Sequence, residues 1–414
     1  MELGQFSFGV GDRFGQEGRA QLAAFVEARR RGVTITPVWN KSNREHLIVK
    51  TDPAAVRAEA DAAVAALGWR EPYFVDADHI GLSTVDRFLT PCDFFTIDVA
   101  DFIHRPPVDA ALGEFVRANR KLCGAPAIAD LSAPLRLEEA LLIKIGQQYL
   151  AAVQEAGRVY RRIAAARGAG RAIIEVSMDE TEQPQTPAEL LLILAALSAE
   201  QVPLQTIAPK FTGRFNKGVD YLGDVRQLEK EFNDDLAIIA WAVPRFGLPK
   251  NLKLSVHSGS DKFSIYRPLR RCLEKHGAGV HVKTAGTTWL EEVAAVAKAD
   301  ADGLAFVREI YAEALTRLDE LCAPYAAVID IQRQRLPGAA TVAGWSGADF
   351  AAAIRHEPGA PAFNADLRQL LHVSYKLAAQ RKDRWENLLQ RHADAIGCQV
   401  THNLFERHLR PLFL

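Results

Sequence analysis

Eight short segments, each 5–8 residues long and apolar or alternating, punctuate the first two thirds of the sequence. They are Phe6–Asp12, Thr34–Trp39, Pro72–Asp78, Phe94–Val99, Ala172–Met178, Thr206–Phe211, Leu252–Ser258 and Val280–Ala285. Amphipathic helical patterns lie between most of them, at Gln16–Arg31, Pro53–Leu67, Pro187–Ala199, Asp224–Val243 and Arg267–His276. Asp52 before Pro53 and Thr186 before Pro187 read as N-caps with proline at the first helical position. Strands that alternate with helices must run parallel, and eight such units predict a closed (β/α)8 barrel of the TIM type. A doubly wound open sheet is the structural alternative.

The long gap between Val99 and Ala172 predicts a helical insertion at about residues 100–171, with helices at Val108–Leu122 and Leu137–Ala166. After the eighth strand only Ala326–Ile331 resembles another strand. The remainder reads as helices at Trp289–Lys298, Asp302–Leu321, Ser346–Arg355, Ala365–Ala379 and Lys382–Ala395. The expected organisation is a barrel over residues 1–290 and a helical C-terminal extension, 291–414, packed on it.

Composition narrows the function classes. Fifty Lys+Arg balance 51 Asp+Glu, and the basic residues form no long block, which argues against a nucleic-acid partner. No apolar run is long enough to cross a bilayer, and the first residues lack the order of a signal peptide, so the expectation is a cytoplasmic protein. Five scattered cysteines without a CxxC pair suit neither a disulfide framework nor a zinc-thiolate site. No GxGxxG, GxxxxGK[ST] or GxSxG motif occurs. The amphipathic helices of the extension are compatible with a homodimer.

Barrel chemistry sits at the C-terminal strand ends, which is where this chain puts its polar residues. Strand three ends Asp76-Ala77-Asp78-His79, and strand four carries Thr96 and Asp98. Strand five carries Glu175, Ser177 and Asp179, followed by Glu180 and Glu182, and strand six ends at Lys210. Lys253, Ser255 and His257 share one face of strand seven, as His281 and Lys283 do on strand eight. Buried there, such groups are costly unless paired, metal-bound or used in chemistry. His79, His257 and His281, from three different strands, are therefore the expected ligands of a divalent metal, with Zn, Mn, Ni, Co and Fe all compatible. Asp78 and His79 are adjacent, so both reach the site only if the backbone turns between them.

Asp78, Asp98 and Glu175 are candidate acid/base carboxylates; the bland alternative is that they orient a histidine or pair with Lys210 or Lys283. Asp78 and Glu175 are the expected proton-transfer pair, and Arg13, Asp98, Lys210, Lys262 and Lys283 the expected substrate contacts. The turns Gly9–Gly15, Ser258–Ser260 and Ala285–Gly286 are expected to offer N–H groups to an anion. His402 and His408 are six apart and read as surface or packing residues.

The stretches FSFGVGDRFG, VDADHIGL, EVSMDETEQPQTP, KLSVHSGSDKFSIY and HVKTAGTTWLE together resemble the tagaturonate epimerase family. The resemblance spans about Phe6 to Leu290 and is most specific in the last two motifs. It implies an isomerase that interconverts tagaturonate and fructuronate in hexuronate catabolism with a divalent metal, with relatives acting on tagatose and fructose. The implied ligands are His79, His257 and His281, and the implied proton-transfer groups Asp78 and Glu175. The carbon inverted in that reaction is β to the ketone, so its C–H is not acidified. Retro-aldol cleavage, rotation of the aldehyde fragment and re-addition to its other face is the route that needs no nicotinamide. A metal-dependent aldolase or isomerase and a non-catalytic sugar-acid binding protein are the rival readings.

Overall fold

The structure is a computed structural model that describes all residues except Val108, Glu180, Glu182 and Ala285, and of Asp109 the backbone only. Eight parallel strands close into a barrel in chain order: β1 (Phe6–Val10), β2 (Thr36–Ser42), β3 (Phe74–Ile80), β4 (Phe94–Asp98), β5 (Ile173–Ser177), β6 (Thr206–Ala208), β7 (Lys253–His257) and β8 (Val280–Thr284). β1 and β8 pair from Phe6↔Val280 to Val10↔Thr284, which removes both sheet edges. The open doubly wound alternative is thereby excluded.

The helix signals act locally as expected. Asp52 accepts from the Ala54 N–H and caps Pro53–Leu67, which ends at Gly68 in the left-handed conformation. Thr186 and Glu189 form a reciprocal capping box on Pro187–Ala199. A second box, Ser42 with Glu45, starts a short helix at Asn43–Val49 that periodicity alone did not reveal. Within the insertion, helices run over Asp109–Asn119 and Glu139–Arg167. The expected start at Val108 lies outside the described residues. The segment that resembles a ninth strand, Ala326–Ile331, instead begins within a 3-10 turn, Ala323–Val328.

Beyond β8 the elements among the described residues are all helices or helical turns, the last ending at Phe413, and they lie against the barrel. Ala393–His402 packs on the helices Gly18–Arg30 and Thr287–Ala299, and Gly347–Ile354 also packs on the latter. The sequence reading ended the last helix at Ala395. The structure continues it through a π-helical turn, Asn403–Leu409, because Leu404, Phe405 and Leu409 are buried and supply the apolar contact that Thr401, His402 and Glu406 conceal in the pattern. Phe14, Trp289, Phe306 and Trp385 form a continuous aromatic cluster with centroid spacings of 5.1–5.7 Å between successive members. It joins the loop after β1 to the extension.

A second join is ionic. Asp261, wholly buried just after β7, accepts from Arg368 Nη2 at 2.7 Å and Thr287 Oγ1 at 2.9 Å. It also faces His356 Nδ1 and His408 Nε2, each at 3.1 Å. His408, expected at the surface or in packing, is thus a buried partner of Asp261, whereas His402 is exposed. Burial alone would raise the Asp261 carboxyl, but Arg368, His356 and His408 hold it well below the usual carboxylate range. A carboxyl depressed on folding stabilises the fold above its unfolded pKa and loses that contribution as pH falls. Asp261→Asn leaves Arg368 buried beside a neutral amide. It is expected to cost about 3–5 kcal/mol in chemical denaturation at pH 7, with the difference from wild type shrinking below about pH 4.

Candidate active site

The inward side chains stack in layers up the barrel axis. Lowest are Lys253, whose Nζ donates to the Leu3 and Gly4 carbonyls, and His281, whose Nδ1 meets Ser7 Oγ at 2.9 Å. The His281 ring lies 5.2 Å from that of Phe94, and burial lowers its pKa to about 3, so it is a neutral core imidazole.

The middle layer centres on Lys283. Its ammonium lies 2.6 Å from Asp76 Oδ2, 3.0 Å from Asp78 Oδ1 and 3.2 Å from Glu175 Oε1, and donates to Thr96 Oγ1. Thr96 Oγ1 also reaches Asp76 Oδ1 at 3.0 Å, and Thr206 Oγ1 donates to Glu175 Oε2 at 2.7 Å. Burial would lower Lys283, but Asp76, Glu175 and Asp78 hold it well above the usual lysine range. Burial opposes the ionised form of Glu175 as well, yet Lys283 and His257 hold it well below its ordinary value. Asp76 is pushed up to about 6, chiefly by burial and against the pull of Lys283.

The top layer holds Asp78, His79, Asp98, Asp179 and His257. The β3–β4 register shifts between Ala77 and Ile80, and His79 has φ +51°. That left-handed residue breaks the alternation of the strand, so Asp78 points to Lys283 while His79 also turns inward, with Nε2 3.9 Å from Asp78 Oδ1. Each upper imidazole is braced by a carboxylate. His79 Nδ1 donates to Asp98 Oδ2 at 3.1 Å, and His257 Nε2 to Glu175 Oε1 at 2.7 Å. An ionised carboxylate only accepts, so in neutral form His79 presents its Nε2 lone pair and His257 its Nδ1 lone pair. His257 Nδ1 is buried without a hydrogen bond among the described residues, 3.2 Å from Asp179 Oδ1. Burial opposes protonation of both rings, but Asp78, Asp98 and Asp179 hold His79 well above its usual value, and Asp179 with Glu175 raises His257 to about 9.

These residues fit a divalent cation. One atom each from His79, Asp179 and His257 lies within 4.8 Å of the others. The donors are two imidazoles and a carboxylate, with carboxylates behind both rings. Among the described residues, Asp76, Asp78 and Glu175 share one ammonium, Lys283, while Asp98 and Asp179 face the imidazoles of His79 and His257, and that excess of carboxylates favours a cation.

The expected ligand set is corrected at one position: His281 lies in the lowest layer, hydrogen-bonded to Ser7, and Asp179 stands with His79 and His257 instead. Asp179 continues the period-two face of Glu175 and Ser177, a signal present in the sequence. Glu175 has no free side, being closed in by Lys283, His257, Thr96 and Thr206. Asp98 braces His79 and also accepts from the Ala100 N–H at 3.0 Å. Lys210 is half-buried beyond β6, with its N–H donating to Gln185 Oε1 at 2.5 Å.

The expected anion cradles are largely closed by the chain itself. Asp12 accepts from the N–H groups of Phe14, Gly15, Gln16 and Glu17 at 2.6–2.9 Å, so an internal carboxylate fills the glycine loop after β1. Gly259 and Gly286 N–H donate to the Lys283 and Gly259 carbonyls, and Ala285 lies outside the described residues. Lys262 is fully buried, its ammonium on the Asn216 carbonyl at 2.9 Å and Ser260 Oγ at 3.2 Å, and burial lowers its pKa to about 7. Arg13 Nη1 lies 3.6 Å from Glu45, and its guanidinium stacks 3.8 Å over the Tyr375 ring. Sequence reasoning did not single out Asn40, which pairs in register with Asp76, or Asn216; their side-chain amides are buried without partners among the described residues.

A family model described as tagaturonate epimerase matches residues 1–410. A curated tagaturonate/fructuronate epimerase from Thermotoga maritima is 26% identical over 382 residues, covering 89% of this chain and 72% of that protein. The crystal structure of fructuronate-tagaturonate epimerase from Cohnella laeviribosi superposes with a TM-score of 0.82 at 26% identity, over 100% of this chain and 82% of its own. Its form with one glycerol gives 0.81 at 27% identity, with the same two coverages. With a matching model across nearly its whole length and this barrel, the chain belongs to the tagaturonate epimerase family, a family of isomerases.

Proposed function

We propose that this protein interconverts tagaturonate and fructuronate by inverting the hydroxyl-bearing carbon β to the ketone, with a divalent metal held by His79, Asp179 and His257. The observation that carries the reading is the convergence of those three donors directly above the Lys283 carboxylate network. The bound cation would supply Lewis-acid polarisation of the ketone.

The chain's own groups do the rest. Asp78, kept ionised by Lys283 and 6% exposed, is the carboxylate at the top of the network and the base for the β-hydroxyl proton. As that proton leaves, the C–C bond breaks and its electron pair passes to the ketone fragment as an enediolate. The aldehyde turns and is re-attacked on its other face, and the proton returns to the new alkoxide. Glu175, sealed by four partners, acts by fixing His257 and Lys283 and moves no proton itself. Lys283 stabilises negative charge through the cycle. Asn40 and Lys210 are the proposed contacts to substrate hydroxyls.

The direct test is NMR of the protein with divalent metals and, separately, tagaturonate, fructuronate, tagatose and fructose. The expected product is a six-carbon epimer of a hexuronate. Release of two stable fragments would assign an aldolase instead, and conversion of only the uncharged pair would move the substrate to ketohexoses.

Elemental analysis separates the ligands. His257→Ala and Asp179→Asn are expected to lose bound metal and activity with the circular dichroism of the wild type, whereas His281→Gln should retain the metal. Loss of metal only in the last would restore His281 to the ligand set. Asp78→Asn should keep the metal and lose about 10²–10⁴-fold in kcat. Glu175→Gln should weaken metal binding by about 10–100-fold, read by competition with a chelator.

A further inference from the structure

Arg13 and His372 meet at the rim of the barrel, and their hydrogen bond has a consequence for the imidazole. Arg13 follows β1, while His372 belongs to the helix Ala365–Val373 of the C-terminal extension. The two come together at 3.2 Å, Arg13 Nη2 to His372 Nε2. Packing holds the ring in place: a Cβ on Gly286, just after β8, would sit 1.9 Å from His372 Cε1, and Gly218 lies under its Cβ.

A guanidinium can only donate. His372 Nε2 must therefore accept, and the ring's proton resides on Nδ1. Burial, together with Arg13, Lys217, Arg368 and Lys262, holds the His372 pKa well below its usual value, consistent with this neutral tautomer. His372 is 1% exposed, and its Nδ1–H has no partner among the described residues. Arg13 Nε–H, on a side chain 5% exposed, has none either. The Asn216 amide, two residues before Gly218, is likewise buried and unpartnered.

Positive charge gathers round the imidazole, from Arg13, Lys217, Arg368 and Lys262, and the buried Glu292 carboxyl stands on the Arg13 side. Glu45 faces Arg13 Nη1 at 3.6 Å, and Asp261 is already engaged by Arg368, His356, His408 and Thr287. Unpaired buried donors in an electropositive place are costly unless an acceptor arrives. A carboxylate has the two oxygens to meet two such N–H groups.

We propose that Arg13 Nε–H and His372 Nδ1–H form the subsite for the carboxylate of the sugar acid, so that the C-terminal extension supplies a substrate-binding residue. This rests on the hexuronate reading above. It places the charged end of the substrate at the β1/β8 rim, and the reacting carbons toward His79, Asp179 and His257.

His372→Phe keeps a ring against Gly286 and removes the donor, while His372→Asn puts an amide N–H near the position of Nδ1. For tagaturonate, His372→Phe is expected to raise KM about 10–100-fold with kcat changed less than about threefold and metal content unchanged. His372→Asn should recover part of the loss. An unchanged KM, or a collapse of kcat alone, would overturn the proposal. Inorganic phosphate is the probe that needs no turnover: it should compete with tagaturonate and raise the melting temperature of the wild type but not of His372→Phe. Activation by phosphate would assign the donors to a separate anion and overturn the carboxylate assignment. Wild-type protein protected by phosphate yet unable to epimerise tagaturonate would support the anion cradle and overturn only the epimerase reading.

Discussion

The burial of one ammonium on the barrel axis governs the rest of the site. Lys283 is almost fully enclosed, and a lone charge there would be prohibitively expensive. Asp76, Asp78 and Glu175 make it tolerable, and their own charges are tolerable only because Lys283 is present. The group therefore works as a unit. It fixes Glu175, Glu175 fixes the ring of His257, and His257 aims Nδ1 toward Asp179. On the other side, Asp98 fixes His79 in the same manner. The upper layer is thus oriented by polar contacts that reach across β3, β4, β5, β7 and β8, which only a closed sheet can bring together.

The barrel was legible because its signals are local and repeated. Eight apolar runs, proline-opened helices and the period-two polar faces of β7 and β8 each read correctly from a few adjacent residues. The placement of His79 and His257 at the ends of β3 and β7 was legible for the same reason. The layer of His281 was not, because alternation tells which face a side chain takes and says nothing about its height on the axis. His281 is two residues before Lys283 and pairs in register with Ser255, one layer beneath His257. The inward turn at His79 depends on a left-handed backbone at a non-glycine residue, which no composition rule announces.

Long-range partnerships were the other blind spot. Asp12 looks in sequence like part of an anion-binding glycine loop, yet it is the anion of that loop. Lys262 looks like an available charge and is spent on backbone and Ser260 oxygens. His408 looks unremarkable and closes on Asp261, 147 residues away in sequence. In each case the residue type was noted, but its partner is set by tertiary packing, and partners decide whether a buried polar group is structural or chemical.

The joins around Asp261 and the aromatic cluster bear on how the molecule comes into being. Ser7 of β1 and His281 of β8 are 274 residues apart in sequence, and Asp261 and His408 are 147 apart. Contacts of such separation form late. Assembly of the mouth is thus a late event in folding, and a partly folded barrel would carry an uncompensated Asp261 charge and an uncovered Trp289. Such an intermediate is a natural client for chaperones and a poor catalyst.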